Sequence, residues 1–243
     1  LGARRTADAR RSAGQLVSLT FAMGCLMMAL CLIFARGLLK LFFGSIADDV
    51  MAAGLIYLRI TALSFPFIAL YNAGAAIFRS VGNSKVSMQV SLWMNGINVA
   101  GNALCVFVLK MGVAGAAIAT VFSQVVSAGM VTVALLRQPE ETRLSLKKIR
   151  FQGELLKRIL YVGVPAGLQF VTFDLANTLI QSGINSFGDV AVAAWTAYVK
   201  TDSLTWMISG AFGVSVTTFV GQNFGAQKYD RIRQSVWVCM GMS

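Results

Sequence analysis

The amino-acid sequence predicts an all-α polytopic membrane protein that folds as a helix bundle. Hydrophobic residues make up 56% of the chain and charged residues 13%, which is not the balance of a soluble globular domain. The apolar residues come in unbroken runs of the length that a helix needs to cross a bilayer, about 20 residues, and these runs are too long for barrel strands. Residues 1–17 and 224–240 resemble two copies of one element, 223 residues apart, and internal repeats of this kind are common in membrane transporters.

Six membrane spans and the start of a seventh fit the apolar runs. The first two predicted spans are residues 13–34, followed by a short segment at 37–44, and residues 50–78 with a kink at Pro66. The remaining spans are residues 86–109, 113–136, 159–184 and 190–219, and the seventh starts near residue 236. Asp48 and Asp49 directly precede the second predicted span, where acidic side chains stabilise a helix N-terminus.

The runs fall into two groups separated by one long polar stretch. We expect residues 1–136 to be the C-terminal part of a first lobe with four transmembrane helices. Residues 137–158 form a basic linker that includes a short amphipathic helix at 151–158. Residues 159–243 begin a second lobe, with two helices and the start of a third. The repeat offset leads us to expect a fragment of a protein nearly twice as long, whose remaining helices belong to the same natural chain.

The basic residues lie in alternate loops, which predicts the orientation of the chain. Sixteen of the 21 lysine and arginine residues fall in four loops, against three in the loops of the opposite side. The positive-inside rule then places residues 1–12, 79–85, 137–158 and 222–233 in the cytoplasm of a multi-pass plasma membrane protein. The net charge of +11 does not indicate nucleic-acid binding, because no basic face interleaves with exposed aromatic residues.

The sequence offers little for enzymatic chemistry. It contains no histidine, and its four cysteines lie in apolar runs without the spacing of metal or redox sites. The segment 221–228 has neither the glycine spacing nor the Lys-Ser/Thr ending of a phosphate loop. We therefore expect a protein that is not an enzyme and that holds no organic cofactor or resident metal.

Asp174 is the sharpest functional candidate, because it lies midway along the fifth predicted span. An ionisable residue at bilayer depth is costly and usually faces a cavity where it binds ions or protons. Asn177 and Gln181 follow at i+3 and i+7 on the same helical face. A carboxylate with carboxamides suits a hard cation such as Na⁺, or a proton relay. The alternative is a carboxyl group held in a helix–helix hydrogen bond.

The third span carries the same spacing in Asn95, Asn98 and Asn102. Three carboxamides in a row predict either the lining of a polar cavity, where Asn98 and Asn102 would bind ion or substrate, or hydrogen bonds that join helices.

Lys200 and Asp202 lie in the outer part of the sixth span. At i and i+2 they do not face each other on a straight helix, and Lys200 is long enough to reach the interface. We interpret the two as a possible gate or substrate contact, with solvated interface residues as the alternative.

Several blocks of this sequence, in the right order, resemble the MATE (multidrug and toxic compound extrusion) family. The blocks are GVPAGLQ at 163–169, IQSGINSFG at 180–188, VGQNFGA at 220–226, FRSVGN at 78–83 and GVAGAAIAT at 112–120. The resemblance covers the whole chain. It implies twelve helices in two lobes, of which this chain would hold helices 3 to 8 and the start of helix 9. Many members have an Asp where this chain has Asn102. The acid that members often carry eight residues beyond the proline falls on Phe173 here, one residue before Asp174.

The resemblance implies a cation-coupled antiporter, driven by Na⁺ or H⁺, that exports drugs or organic cations by alternating access of two lobes. Na⁺ or H⁺ would be the coupling ion, with Na⁺ at Asp174 as one option. A lipid-linked or polysaccharide flippase of related architecture is the alternative, and many cationic residues lining the cavity would favour it. A receptor or assembly protein that transports nothing would instead need Asp174 only for stability.

Overall fold

The computed structural model describes residues 6–43, 48–138 and 153–242, and these residues are almost entirely helical. The helices are α1 (Thr6–Phe43), α2 (Asp48–Ala62), α3 (Phe65–Ser80), α4 (Ser84–Asn102), α5 (Gly112–Leu136), α6 (Gly153–Asn185), α7 (Asp189–Gly225) and α8 (Tyr229–Met242). A π-helical segment, Ala103–Val108, extends α4. The all-α prediction is confirmed.

Five of these helices are long and apolar enough to cross a membrane. A sixth span results if α2 and α3, which meet at a bend of 44°, are taken as one. The described residues therefore hold the six predicted spans, with the bent pair as the second of them.

The break between α2 and α3 falls just before the predicted kink. Pro66 has no amide hydrogen, and its ring clashes with the carbonyl group four residues earlier, so it is tolerated only in the first turn of α3. The helix therefore ends at Ala62 instead of running from residue 50 to 78. The hydroxyl group of the buried Ser64 donates a hydrogen bond to the carbonyl oxygen of Thr61 at 2.7 Å. That bond satisfies one of the acceptors which the break leaves open.

Two other predicted boundaries were wrong. The segment 37–44 is not separate, because α1 continues through Gly37 to Phe43. A single glycine weakens a helix by only about 0.5–1 kcal/mol, and the leucines that follow are good helix formers. From residue 153 onward, the predicted amphipathic helix 151–158 forms the first turns of α6, which passes Pro165 without interruption. The remainder of the predicted linker, residues 139–152, lies outside the described residues.

The chain divides into two compact units, one before and one after residue 150. In the first unit, α1, α3, α4 and α5 pack around one hydrophobic core. The buried members of this core are Val17, Ala73, Ile77, Phe78, Val90, Val131 and Leu135. Buried small residues of α5, among them Gly115, Ala117 and Ala119, allow neighbouring helices to approach closely, as their density in the sequence predicts.

In the second unit, α6 and α7 form a helical hairpin that is followed by α8. Gly188 stands in the turn between the first two helices with a φ of 88°, a left-handed conformation that favours glycine.

We predict that Gly74→Ala destabilises the first unit. A Cβ atom at Gly74 would overlap the side chain of Val131 and lie 3.3 Å from Leu135 Cδ1. Both neighbours are fully buried, and a branched valine has little freedom to turn away. Overpacking of this kind costs about 1–3 kcal/mol. The melting temperature of the purified protein in detergent should therefore fall by several degrees.

Gly129→Ala is the matched control for this substitution. Gly129 lies in the interior of α5, and a Cβ atom there would meet nothing within 4 Å. The change should leave the melting temperature equal or raise it, because alanine has the higher helix propensity. Equal melting temperatures for the two variants would contradict the close contact between α3 and α5.

Candidate functional site

The first unit contains a cluster of neutral polar side chains between α4 and α5. Asn98 Nδ2 lies 3.3 Å from Thr120 Oγ1 and 3.4 Å from Ser123 Oγ, and it can donate to both. Asn102 Nδ2 donates to Asn98 Oδ1 at 3.0 Å. We call Asn98, Asn102, Thr120 and Ser123 the carboxamide cluster. It brings together the two predicted asparagines and two hydroxyl groups of the neighbouring helix.

One oxygen of the carboxamide cluster has no donor. Asn102 Oδ1 is buried and has no hydrogen-bond partner among the described residues. The two hydroxyl groups donate to their own helix, Thr120 to the carbonyl oxygen of Ala116 and Ser123 to that of Thr120. A buried acceptor without a donor costs free energy, so it marks a place where a water molecule, an ion or a ligand group would be stabilising. Carbonyl and hydroxyl oxygens are ligands that hard cations accept.

Local backbone geometry brings this cluster together. Gly101 packs so closely on α5 that a Cβ atom there would lie 3.0 Å from Ala119 Cβ. Because the two helices are so close, the side chain of Asn98 reaches Thr120 and Ser123. Asn102 is the last residue of α4 before the π-helical segment Ala103–Val108. Short π-helical stretches inside α-helices are frequent at functional sites.

The third asparagine of the predicted stripe does not join the cluster. Asn95 is exposed, and its Nδ2 donates to the carbonyl oxygen of Ser91 on its own helix at 2.9 Å. Thr120 and Ser123 were missed by the sequence analysis. A usable signal existed, since Thr120, Ser123 and Ser127 follow one another at i, i+3 and i+7, the same spacing as the asparagines.

In the second unit, the predicted acid and carboxamides share one uninterrupted helix. Asp174 lies 11 residues before the end of α6 at Asn185, about 16 Å along the axis. That distance is roughly half the thickness of a hydrocarbon core. Asp174 and Asn177 are exposed in this unit. Gln181 Nε2 donates to Asn185 Oδ1 at 2.9 Å, so this carboxamide is paired away from the acid.

The two predicted gate residues lie on α7 and have separate surroundings. Asp202 Oδ2 accepts a hydrogen bond from Trp206 Nε1 at 2.9 Å. Lys200 is exposed, and its carbonyl oxygen accepts from Ser203 Oγ at 2.7 Å. The indole ring of Trp206 also contacts the ring of Phe173 on α6, with 5.5 Å between ring centroids. Sequence spacing gave no signal for this contact, which joins residues 33 positions apart.

Long apolar helices that carry a buried polar cluster and acidic residues are typical of polytopic membrane proteins. The sequence matches the MatE family over residues 1–104 and 165–243, and the chain belongs to that family. The resemblance predicted from the sequence blocks is confirmed.

Curated relatives support membership of the same family. YoeA of Bacillus subtilis, a probable multidrug resistance protein, is 27% identical over 246 residues, which cover 98% of this chain and 52% of YoeA. The multidrug export protein MepA of Staphylococcus aureus is 24% identical over 172 residues, 71% of this chain and 38% of MepA.

Solved structures agree on the fold. A crystal structure of the MATE transporter VcmN from Vibrio cholerae superposes with a TM-score of 0.87 at 22% identity, over 98% of this chain and 53% of that one. At this identity the likeness shows the fold alone. The chain thus spans about half the length of the curated relatives and solved structures that it matches.

We predict that Asn98→Ala destabilises the first unit more than Asn95→Ala does. Asn98 contacts three side chains across and along the helix contact, and its removal leaves Asn102 Nδ2 without the acceptor that it has here and removes the hydrogen bonds to Thr120 and Ser123. Unsatisfied buried groups cost about 1–3 kcal/mol. Asn95 is exposed and bonds only within its own helix, so its loss should change stability little. Thermal unfolding in detergent checks this, and equal melting temperatures for the two variants would refute the cluster as a helix-joining contact.

Proposed function

We propose that this chain is part of an antiporter that exports drugs or other organic cations across the plasma membrane. Inward flow of Na⁺ or H⁺ would drive export, and the two lobes would expose the site to each side in turn. The observation that carries the proposal is Asp174, an acid at membrane depth in an apolar helix. Membership of the MatE family and the multidrug names of YoeA and MepA support it.

Asp174 would serve as the site where the coupling ion and the cationic substrate compete. A carboxylate in a water-filled cavity binds either cation, but not both at full strength. Because the protein must release one cation before it binds the other, it exchanges the two cations across the membrane. Asn177 lies one turn further along the same face of α6 and can add an uncharged oxygen, and Gln181 lies one turn beyond that. Asp174, Asn177 and Gln181 together are the side chains that we propose for cation binding on α6.

The carboxamide cluster would supply a second, neutral set of oxygens in the first unit. Asn102 Oδ1 is the acceptor available to an ion, with the oxygens of Thr120 and Ser123 nearby. None of the four side chains titrates near neutral pH. Binding at this cluster would therefore follow the Na⁺ concentration and not the pH.

The basic loops support an orientation with residues 79–85 and 222–233 in the cytoplasm. A flippase would need cationic residues along its cavity to hold a lipid-linked or phosphorylated sugar. Among the described spans, Lys200 lies in the interior of α7 and Arg59 in the last turn of α2, and two such residues on different helices do not favour that alternative.

We predict that Asp174→Asn reduces export of a fluorescent organic cation at least tenfold, because the variant loses the charge that both cations need. The natural protein that carries this chain would be expressed in cells without their own efflux pumps. Ethidium efflux would be followed under an imposed Na⁺ or H⁺ gradient, with protein amounts matched by immunoblot.

Asp189→Asn is the control for this prediction. Asp189 is exposed in the first turn of α7, where its charge interacts with the helix end. Its removal should leave export near the wild-type rate. Normal export by Asp174→Asn would move the coupling site away from α6. Absence of export by the wild type, for every cation tried, would refute the drug-export proposal.

We predict that Na⁺ raises the melting temperature through the carboxamide cluster. Compared with choline at equal ionic strength, saturating Na⁺ should stabilise the protein by about 2–3 kcal/mol, equally at pH 6 and pH 8. Asn102→Leu should reduce this shift because it removes the free acceptor, whereas Asn95→Leu should retain it. A Na⁺ shift that is absent, or identical in the two variants, would rule out Na⁺ binding at the cluster.

A further inference from the structure

One end of the first unit gathers basic side chains from four helices. Phe78 of α3 and Leu135 of α5 belong to the hydrophobic core, and Ala13 of α1 and Val86 of α4 pack against it. Each of these residues lies within two turns of the first or last residue of its helix, so the core holds four helix ends together. We call the basic side chains at these ends the basic rim: Arg10, Arg11, Arg79, Lys85 and Arg137.

The basic rim lies where the apolar helices end. Arg79 directly follows the core residue Phe78, and Arg137 directly follows α5, which ends at Leu136. Arg11 comes two residues before the uncharged run 13–35 of α1. Since the membrane changes from hydrocarbon to headgroups where apolar helices end, the basic rim lies at the depth of lipid phosphate groups.

The positive charge of the basic rim is poorly balanced by acids. Asp8 is the acid in the first turn of α1, and it is exposed. In the described part of the first unit, the rim residues form no ion pair with a carboxylate. The opposite end of the unit has acids beside its basic residues, which are Asp48 and Asp49 with Arg36, Lys40 and Lys110.

Arg79 is the member of the basic rim that packing holds most firmly. It is half-buried, and its Nη1 donates to Ser87 Oγ of α4 at 3.4 Å. Ser87 is itself buried, with 8% of its surface exposed. A guanidinium group has five N–H donors, so this one long bond leaves others for an anion. Partial burial of a cation is unfavourable without an anion beside it, and a phosphate group accepts two parallel bonds from arginine.

Helix stability explains only some of the basic rim. Arg79 and Arg137 lie at helix C-termini, where the dipole favours cations whether or not a ligand binds. Lys85 is the second residue of α4, whose first turn holds no acid and whose N-cap residue Asn83 makes no side-chain cap bond. A cation at a helix N-terminus is unfavourable. An anion held by Arg79 and Lys85 together would offset that cost.

We infer that the basic rim binds the headgroup of an anionic phospholipid. A free phosphate ion offers the same oxygens, but the bilayer concentrates lipid phosphate at this depth, and the acyl chains can lie along the apolar helices. The positive-inside rule predicts that this end faces the cytoplasm, where the leaflet carries anionic lipids. The inference is independent of what the protein transports.

The test measures lipid binding to the purified natural protein in detergent by native mass spectrometry. Phosphatidylglycerol is the anionic probe, and phosphatidylcholine, which has no net charge, is the lipid control. Arg79→Gln and Arg137→Gln should each weaken phosphatidylglycerol binding about fivefold, the contribution of one basic residue near an anionic surface, and leave phosphatidylcholine binding unchanged. Lys40→Gln is the matched protein control and should keep wild-type affinity, because Lys40 is exposed at the opposite end of α1.

Arg137→Gln covers the case in which Arg79→Gln fails to fold, because Arg137 is exposed. Equal affinity of the wild type for the two lipids would overturn the inference. An equal loss in Lys40→Gln would also overturn it, since net charge and not the basic rim would then govern binding. Excess inorganic phosphate is the third arm of the test. Displacement of phosphatidylglycerol by phosphate would assign the site to the free ion and refute the lipid assignment, whereas retention of the lipid would support it.

Discussion

The absence of water in a bilayer governs this structure, because each backbone amide in a span must find its hydrogen bond within the protein. Continuous helices meet that requirement, which is why the apolar runs become long helices. The same requirement applies to side chains. Asn98 donates to the hydroxyl groups of Thr120 and Ser123 on α5, Asn102 donates to Asn98, and the hydroxyl groups donate to backbone carbonyl oxygens of their own helix. Polar side chains in the described spans therefore bond either to a neighbouring helix, as Asn98 does, or to their own helix, as Asn95 does.

Two interruptions of regular helix occur in the first unit, and each has a local cause. Pro66 ends the hydrogen-bond ladder, Ser64 satisfies one exposed carbonyl, and a bend of 44° follows. Gly24 of α1 accommodates that bend, since a Cβ atom there would lie 2.8 Å from Pro66 Cα. The second interruption is the π-helical segment Ala103–Val108, which follows Asn102 of the carboxamide cluster directly. Small residues on the facing helices are what permit both irregularities within a packed bundle.

The sequence predicted the spans and the shared helical face of the asparagines because both depend on local pattern. Apolar length predicts a span, and the i, i+3, i+7 spacing predicts a shared face whatever the tertiary structure. It did not predict that Thr120 and Ser123 contact Asn98, because the partner of Asn98 depends on how α4 and α5 are aligned. The same holds for Trp206, whose ring contact crosses from α7 to α6. The break before Pro66 was misplaced by a few residues, because a proline disturbs the turn that precedes it more than its own position.

The chemical contrast between the two units bears on how coupling would work. The carboxamide cluster is uncharged, so it cannot trade a proton for a cation that it binds. Asp174 and Asp202 lie 11 and 13 residues from the ends of α6 and α7 that meet at the turn between them. A carboxylate attracts every cation, inorganic or organic, so selectivity between the two kinds of cation would have to come from its neighbours. Asn177 can add a carboxamide oxygen beside Asp174, which would favour a small hard ion. With two acids that have different neighbouring residues, a cation bound at one acid would weaken binding of a cation at the other through charge repulsion alone. Exchange transport requires such competition.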